Sequence, residues 1–246
     1  AYLRSLKGPR EIRIVERERN YGLAGSVIAG VNEVVRAFGC AIVLEDDLVT
    51  SPLFLQYANE ALQRYEDDER VGSVHGYVYP VRGALPETFF LRGADCWGWA
   101  TWKRAWDLFE PDGKKLLQEL RTRDLERAFD FNGAFPYTKM LKEQIRGRND
   151  SWAIRWHASL FLKNKLTLYP GRSLVFHNWQ EGAGTHCGST SDMDVTLATE
   201  AVRVADIPVQ ENPDARKRIE AYFRSTRRFL VLKKIRDRIR GFRCGR

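Results

Sequence analysis

Cysteine and long apolar runs are what this chain has least of. Its 246 residues hold four cysteines, at positions 40, 96, 187 and 244, with no pair at CxxC spacing. That excludes a disulfide scaffold and a structural zinc site, and it fits a reducing compartment, so the cytoplasm is the expected location. No apolar run approaches the ~20 residues of a membrane-spanning helix. Internal repeats and low-complexity linkers are also absent. Positive charge is plentiful only in one place. The formal net charge is +8, but residues 216–246 hold 13 Lys/Arg against two Asp/Glu, a local +11, so the rest of the chain stands at −3. A main body of that charge is not expected to bind nucleic acid.

The rest of the composition is that of an ordinary globular protein, 43% hydrophobic and 29% charged, long enough for one large domain or two small ones. Seven tryptophans and 12% aromatics suit either a cleft that grips rings or a heavy core. Residues 11–15 (EIRIV) alternate like a short strand, and Leu23, Val27, Val31, Val34, Val35 and Phe38 recur at helical spacing up to Gly39. Residues 41–44 form a continuous apolar run, as in a parallel strand covered on both faces. Thr50 or Ser51 can cap a following helix with Pro52 in its first turn and Phe54, Ala58, Leu62 and Tyr65 as its apolar stripe. Residues 71–75 read as the next strand. Strand, helix, strand, helix, strand is the signature of a doubly wound α/β sheet. Farther on, 89–91, 166–169 and 173–176 read as strands, and 116–128, 137–146 and 152–162 as helices. Residues 93–102 (GADCWGWATW) read as a Gly- and Trp-rich loop entering a helix.

Three carboxylates, Glu45, Asp46 and Asp47, directly follow the apolar run in AIVLEDDLVTSPLF. Ligands of open α/β sheets bind beyond the carboxyl ends of the strands, where this triplet falls. Adjacent carboxylates raise one another's pKa unless a cation compensates, and hard oxygen ligands suit Mg²⁺ or Mn²⁺ bridging to a diphosphate. A solvated acidic turn that caps the next helix is the competing reading.

NYGLAGSVIAGV followed by AIVLEDDLVTSPLFLQY resembles the nucleotide-sugar glycosyltransferases of the GT-A fold, in particular the N-acetylglucosaminyltransferase I-like group and its bacterial relatives. The likeness runs from about residue 13 to about residue 186. It implies a Rossmann-like, mostly parallel sheet flanked by helices, with residues 1–212 forming the transferase domain. It also implies that the family's first βα unit is missing, because 11–15 corresponds to the family's second strand. By the same resemblance Asp47 is the metal ligand, and Glu45 and Asp46 face the donor's ribose and sugar or orient the metal's waters. Asp150, in RNDSW, is the general base that takes the proton of the acceptor hydroxyl. A bare Asp before a helix is otherwise an N-cap. The glycine-containing loop supplies Asp95, Trp97, Gly98 and Trp99 as candidate donor contacts, with Trp152 beside them. His186, in GAGTHCG, sits where such enzymes carry a histidine that reaches the metal or diphosphate. His177 is its rival, while His75 and His157 read as structural.

The expected activity is therefore transfer of a sugar, with inversion, from a nucleotide-diphosphate donor (a UDP-sugar is favoured) to a glycan or lipid-linked acceptor, with Mn²⁺ or Mg²⁺ as cofactor. In residues 213–246, Tyr222, Phe223, Phe229, Leu230, Ile235 and Ile239 interleave with Arg and Lys, as in a helix lying on an anionic membrane at the inner face of the cell. Two other readings stay open: a sugar nucleotidyltransferase, and a non-catalytic degenerate transferase acting as a membrane or RNA adaptor.

Overall fold

A computed structural model of the chain describes residues 2–5, 7–178 and 193–226. A one-turn helix α1 (Tyr2–Ser5) and the long helix α2 (Gly22–Phe38) lead into strand β1 (Cys40–Val43), a short strand β2 (Leu48–Thr50), helix α3 (Phe54–Arg64) and strand β3 (Val71–His75). Strands β4 (Thr88–Arg92) and β5 (Trp99–Trp102) follow. Then come helices α4 (Lys103–Trp106), α5 (Gly113–Thr122), α6 (Glu126–Phe129), α7 (Tyr137–Ile145) and α8 (Trp152–Leu162), and strands β6 (Leu166–Pro170) and β7 (Val175–His177). Residues 213–226 are helical.

Local chemistry sets these boundaries. Helix α2 ends at Gly39, which adopts φ 80° and returns its N–H to the Val35 carbonyl, a left-handed cap that a side chain would strain. Its buried positions Ala24, Val31 and Val35 fall on one helical face, packed with α8 and β1. Phe54, Tyr57, Ala58, Ala61 and Leu62 make the corresponding stripe of α3.

The main sheet has five strands in the order β1-β5-β3-β6-β4. Only β3 and β6 are parallel; β1/β5, β3/β5 and β4/β6 are antiparallel pairs. The mostly parallel sheet expected from the sequence is therefore corrected to a mixed one, within an α/β fold flanked by helices. Strands β1, β3 and β6, each expected from the sequence, run in one direction, but β5 is wedged between the first two and runs against them. Residues 99–102 read as loop because glycines precede them, yet all four are buried. Trp99 turns to the α2/α8 side while Ala100 and Trp102 turn to the α3 side, so β5 is covered on both faces.

Four other expectations change. Residues 11–15 form no strand: Ile12 and Val15 are 38% and 49% exposed and Arg13 pairs with Glu33 on α2, so the charges around them keep the segment at the surface. A strand, β2, separates the acidic triplet from the next helix, and Thr50 belongs to it rather than to a cap. The helix expected at 116–128 divides into α5 and α6, with Asp124 at φ 50° between them. The last strand lies at Val175–His177, where it pairs with β2.

Ala215, Ile219 and Phe223 of the 213–226 helix are buried in the main core, with Phe223 3% exposed against Tyr79, Phe131 and Phe135. The expected domain boundary at 212/213 falls inside this packing, and Phe223, expected on a membrane-facing stripe, turns inward. Phe229, Leu230, Ile235 and Ile239 lie outside the described residues. Among the described residues no helix is long and apolar enough to cross a membrane.

Candidate functional site

The carboxyl ends of β1 and β3 and the entry to β5 meet at one end of the sheet, since Val43 and His75 both pair with Trp99. The triplet sits there. Between β1 and β2 the chain reverses over residues 44–47, and the Leu48 N–H bonds the Glu45 carbonyl at 3.3 Å. The β2/β7 register puts Leu48 opposite His177, and the Asn178 N–H donates to the Asp47 carbonyl at 2.8 Å. This pairing brings His177 Nε2 to 3.3 Å from Asp47 Oδ2. Burial lowers the His177 imidazole below its ordinary value, and the Asp47 charge opposes that shift. The other Asp47 oxygen, Oδ1, is buried with no hydrogen-bond partner among the described residues. His177, the rival to His186, thus reaches Asp47; His186 lies outside the described residues.

Glu45 is half-buried, and its carboxylate accepts a hydrogen bond from the Trp152 side chain. Burial first, then the charge on Asp47, push the Glu45 carboxyl up to about 7; the Trp152 bond pulls the other way and Asp46 adds to the rise. Asp46 is exposed. Trp152 and Trp99 are each 1% exposed and stack at 5.2 Å in the core beneath the site. Their packing supports Glu45 from below, so of the two readings the sequence left open, a ring-gripping cleft and a heavy core, these two indoles take the second.

Asp150 stands two residues before Trp152, so the Glu45–Trp152 bond draws the triplet and the start of α8 to the same end of the sheet. Ser151, not Asp150, caps α8, its Oγ accepting from the Ile154 N–H at 3.2 Å. The Asp150 side chain, 59% exposed, instead accepts from the Ala24 N–H at 3.3 Å, in the first turn of α2, and lies 4.0 Å from the Arg155 guanidinium.

The glycine loop reaches the same region by a different anchoring. Tyr79 Oη donates to Asp95 Oδ2 at 2.5 Å, Cys96 N–H donates to Oδ1 at 3.1 Å, and Tyr169 also hydrogen-bonds this carboxylate. Asp95 is thereby held by the protein's own donors. The Trp97 backbone N–H donates to His75 Nε2 at 3.0 Å, and the Trp97 ring lies 5.0 Å from His177 and 4.8 Å from Tyr77. Gly98 has φ +64°, and a Cβ there would meet Val175 Cγ2 at 2.5 Å, so this approach of the loop to β7 requires glycine.

The loop rests on a buried histidine in α8. A Cβ on Gly93 would meet His157 Cε1 at 2.5 Å, and His157 Nδ1 lies 2.6 Å from the Ala94 carbonyl. Burial lowers the His157 imidazole from 6.5 to about 4; the Ala94 contact and Asp95 resist the shift, and Arg216 and Arg92 assist it. The folded protein therefore holds fewer protons here than the unfolded chain between those values. This contribution is complete above pH 6.5 and is lost as pH falls to 4, at a cost of about 3 kcal/mol. Glu45 works in the opposite sense, since its raised carboxyl takes up a proton as pH falls through 7. Urea unfolding of the parent and of His157→Asn, each between pH 4 and 7, separates the two: the stability difference between them is expected to narrow steadily below pH 6.5. A constant difference means that His157 is not held neutral.

Among the described residues no three His, Cys, Asp or Glu side chains converge closely enough to hold a metal ion alone. The pair Asp47 and His177, with an unpartnered buried carboxylate oxygen and a neighbouring carboxyl driven up by burial and then by negative charge, nonetheless fits a cation whose remaining ligands are diphosphate and water oxygens. No local sequence pattern marks His177 as the partner of Asp47; only the β2/β7 register joins residues so far apart in the chain. Compared with known proteins, the chain matches no family model and no curated sequence to a significant degree.

Proposed function

We propose that the chain is a metal-dependent, inverting GT-A glycosyltransferase that moves a sugar from a nucleotide-diphosphate donor, a UDP-sugar above all, to a hydroxyl of a glycan or lipid-linked acceptor. The observation that carries this reading is the Asp47–His177 pair, with its unpartnered carboxylate oxygen, at the carboxyl end of strands that share one direction. Asp47 and His177 would hold Mn²⁺ or Mg²⁺; His186, the other histidine expected to reach the metal, lies outside the described residues. The bound ion offsets the negative charge of the nucleoside diphosphate as it leaves. Asp150 accepts the proton of the acceptor hydroxyl while that oxygen attacks the anomeric carbon; the bond from that carbon to the diphosphate breaks, and its electron pair departs with the diphosphate. Trp152 keeps Glu45 turned inward, and the Asp95 anchor fixes the loop that presents Trp97 to the donor. Docking on an anionic membrane surface, from the cytoplasmic side, falls to the basic residues after 226.

Calorimetric titration with UDP tests this reading. Binding is expected in Mn²⁺ and is expected to weaken at least tenfold in chelator, roughly 1.4 kcal/mol. Equal binding with and without the metal, or none at all, overturns it.

A further inference from the structure

The N-cap residue of helix α2 supplies no side-chain acceptor. Tyr21, at its N-cap position, makes no side-chain hydrogen bond to the first turn. The acceptor that the first turn requires comes from 126 residues away: Asp150 Oδ2 receives the Ala24 N–H at 3.3 Å. The approach is close. Gly22 has φ +72°, and a Cβ placed on it would lie 3.1 Å from that same Oδ2. Gly22 is itself held, its N–H donating to Asn20 Oδ1 at 2.7 Å. With 59% of its side chain exposed, Asp150 is not fixed by packing. Its remaining charged neighbour, Arg155, stands 4.0 Å from Oδ1 and is committed to the carbonyls of Ser151 and Pro111.

We propose that the first turn of α2 aims Asp150, with the Ala24 amide holding one carboxylate oxygen and Gly22 acting as a positioning residue because it carries no side chain. This inference rests on the reading of Asp150 as the general base. One oxygen is tethered and the other is left to receive the acceptor's proton, so the motif NYGLAG acts on the reaction without touching substrate. A methyl group on Gly22 moves the carboxylate by a few tenths of an ångström, and the positive φ adds strain at the same turn.

The test is Gly22→Ala in the full chain, assayed for transfer and for Mn²⁺-dependent UDP binding. About a tenfold fall in kcat is expected with donor KM and UDP affinity within about twofold, since misplacement of a catalytic group acts on the chemical step. Gly30→Ala in the same helix, where an added Cβ meets nothing within 4 Å, is the control and keeps kcat. In an Asp150→Asn background Gly22→Ala is expected to cause no further loss of transfer, and in a separate cycle with Asp150→Ala, which removes the oxygen that meets Ala24 and Gly22, urea midpoints of the two single variants and the double variant are expected to be non-additive. Unchanged kcat in Gly22→Ala, equal losses of kcat and UDP binding, or additive midpoints each overturn the proposal. Unchanged transfer in Asp150→Asn alone, or a parent chain with no transfer, overturns the general-base reading instead. The urea cycle, which needs no activity, then decides by itself whether α2 holds Asp150.

Discussion

Asp150→Asn is expected to reduce sugar transfer by roughly 10²–10⁴-fold while leaving the fold and Mn²⁺-dependent UDP binding in place. The substitution is close to isosteric, and the amide oxygen can still accept the Ala24 N–H that Asp150 now receives at 3.3 Å. What disappears is the capacity to take a proton. The helix that follows does not depend on Asp150, because Ser151 Oγ already receives the Ile154 N–H and caps α8. An N-cap role for Asp150 would instead predict a loss of stability near 1 kcal/mol with transfer retained. Single-turnover transfer and thermal unfolding measured on the same preparation separate the two. Transfer at the parent rate removes Asp150 from the chemistry.

Sequence periodicity finds elements best where one pattern dominates a segment. Val71–His75 and Trp152–Leu162 stand where the sequence places them, the second because Ser151 caps a helix whose side chains are nearly all buried. The direction of the sheet was harder to read. Its reversal depends on β5, whose four residues follow glycines that signal a turn and whose two tryptophans face opposite sides. A short strand buried on both faces has no alternation to betray it. Residues 11–15 fail in the opposite way: they alternate, but the charges around them leave no apolar face large enough to bury.

The site was legible to the extent that it depends on single residue types. Three carboxylates after a strand announce a place where negative charge is concentrated, and that crowding adds to the burial that raises the Glu45 carboxyl. Which histidine joins them is a matter of register. Leu48 opposes His177, and no count of spacing along the chain reveals it. The tryptophans were the least legible. The same indole chemistry serves a sugar face or a core, and here Trp99 and Trp152 are core residues; only the Glu45 hydrogen bond of Trp152 ties them to the site.

Asp47→Ala is the sharpest test of why the chain tolerates such crowding. If the triplet existed for stability, removing its last member would cost the protein; repulsion predicts the reverse. Without Asp47, the Glu45 carboxyl moves down toward its ordinary range, because burial and then the Asp47 charge are what raise it. His177 loses the charge that now opposes the effect of burial, so its imidazole is expected to fall further below its ordinary value. The folded state is expected to survive with a melting temperature at or above that of the parent. Metal-dependent UDP binding and transfer are expected to vanish, a loss of at least about 10³-fold in kcat/KM if the bound ion stabilises the departing diphosphate by roughly 4 kcal/mol. Metal-dependent transfer at the parent rate in Asp47→Ala would mean that the orphaned oxygen beside His177 faces no cation, and that the carboxylates at the end of β1 serve some other ligand.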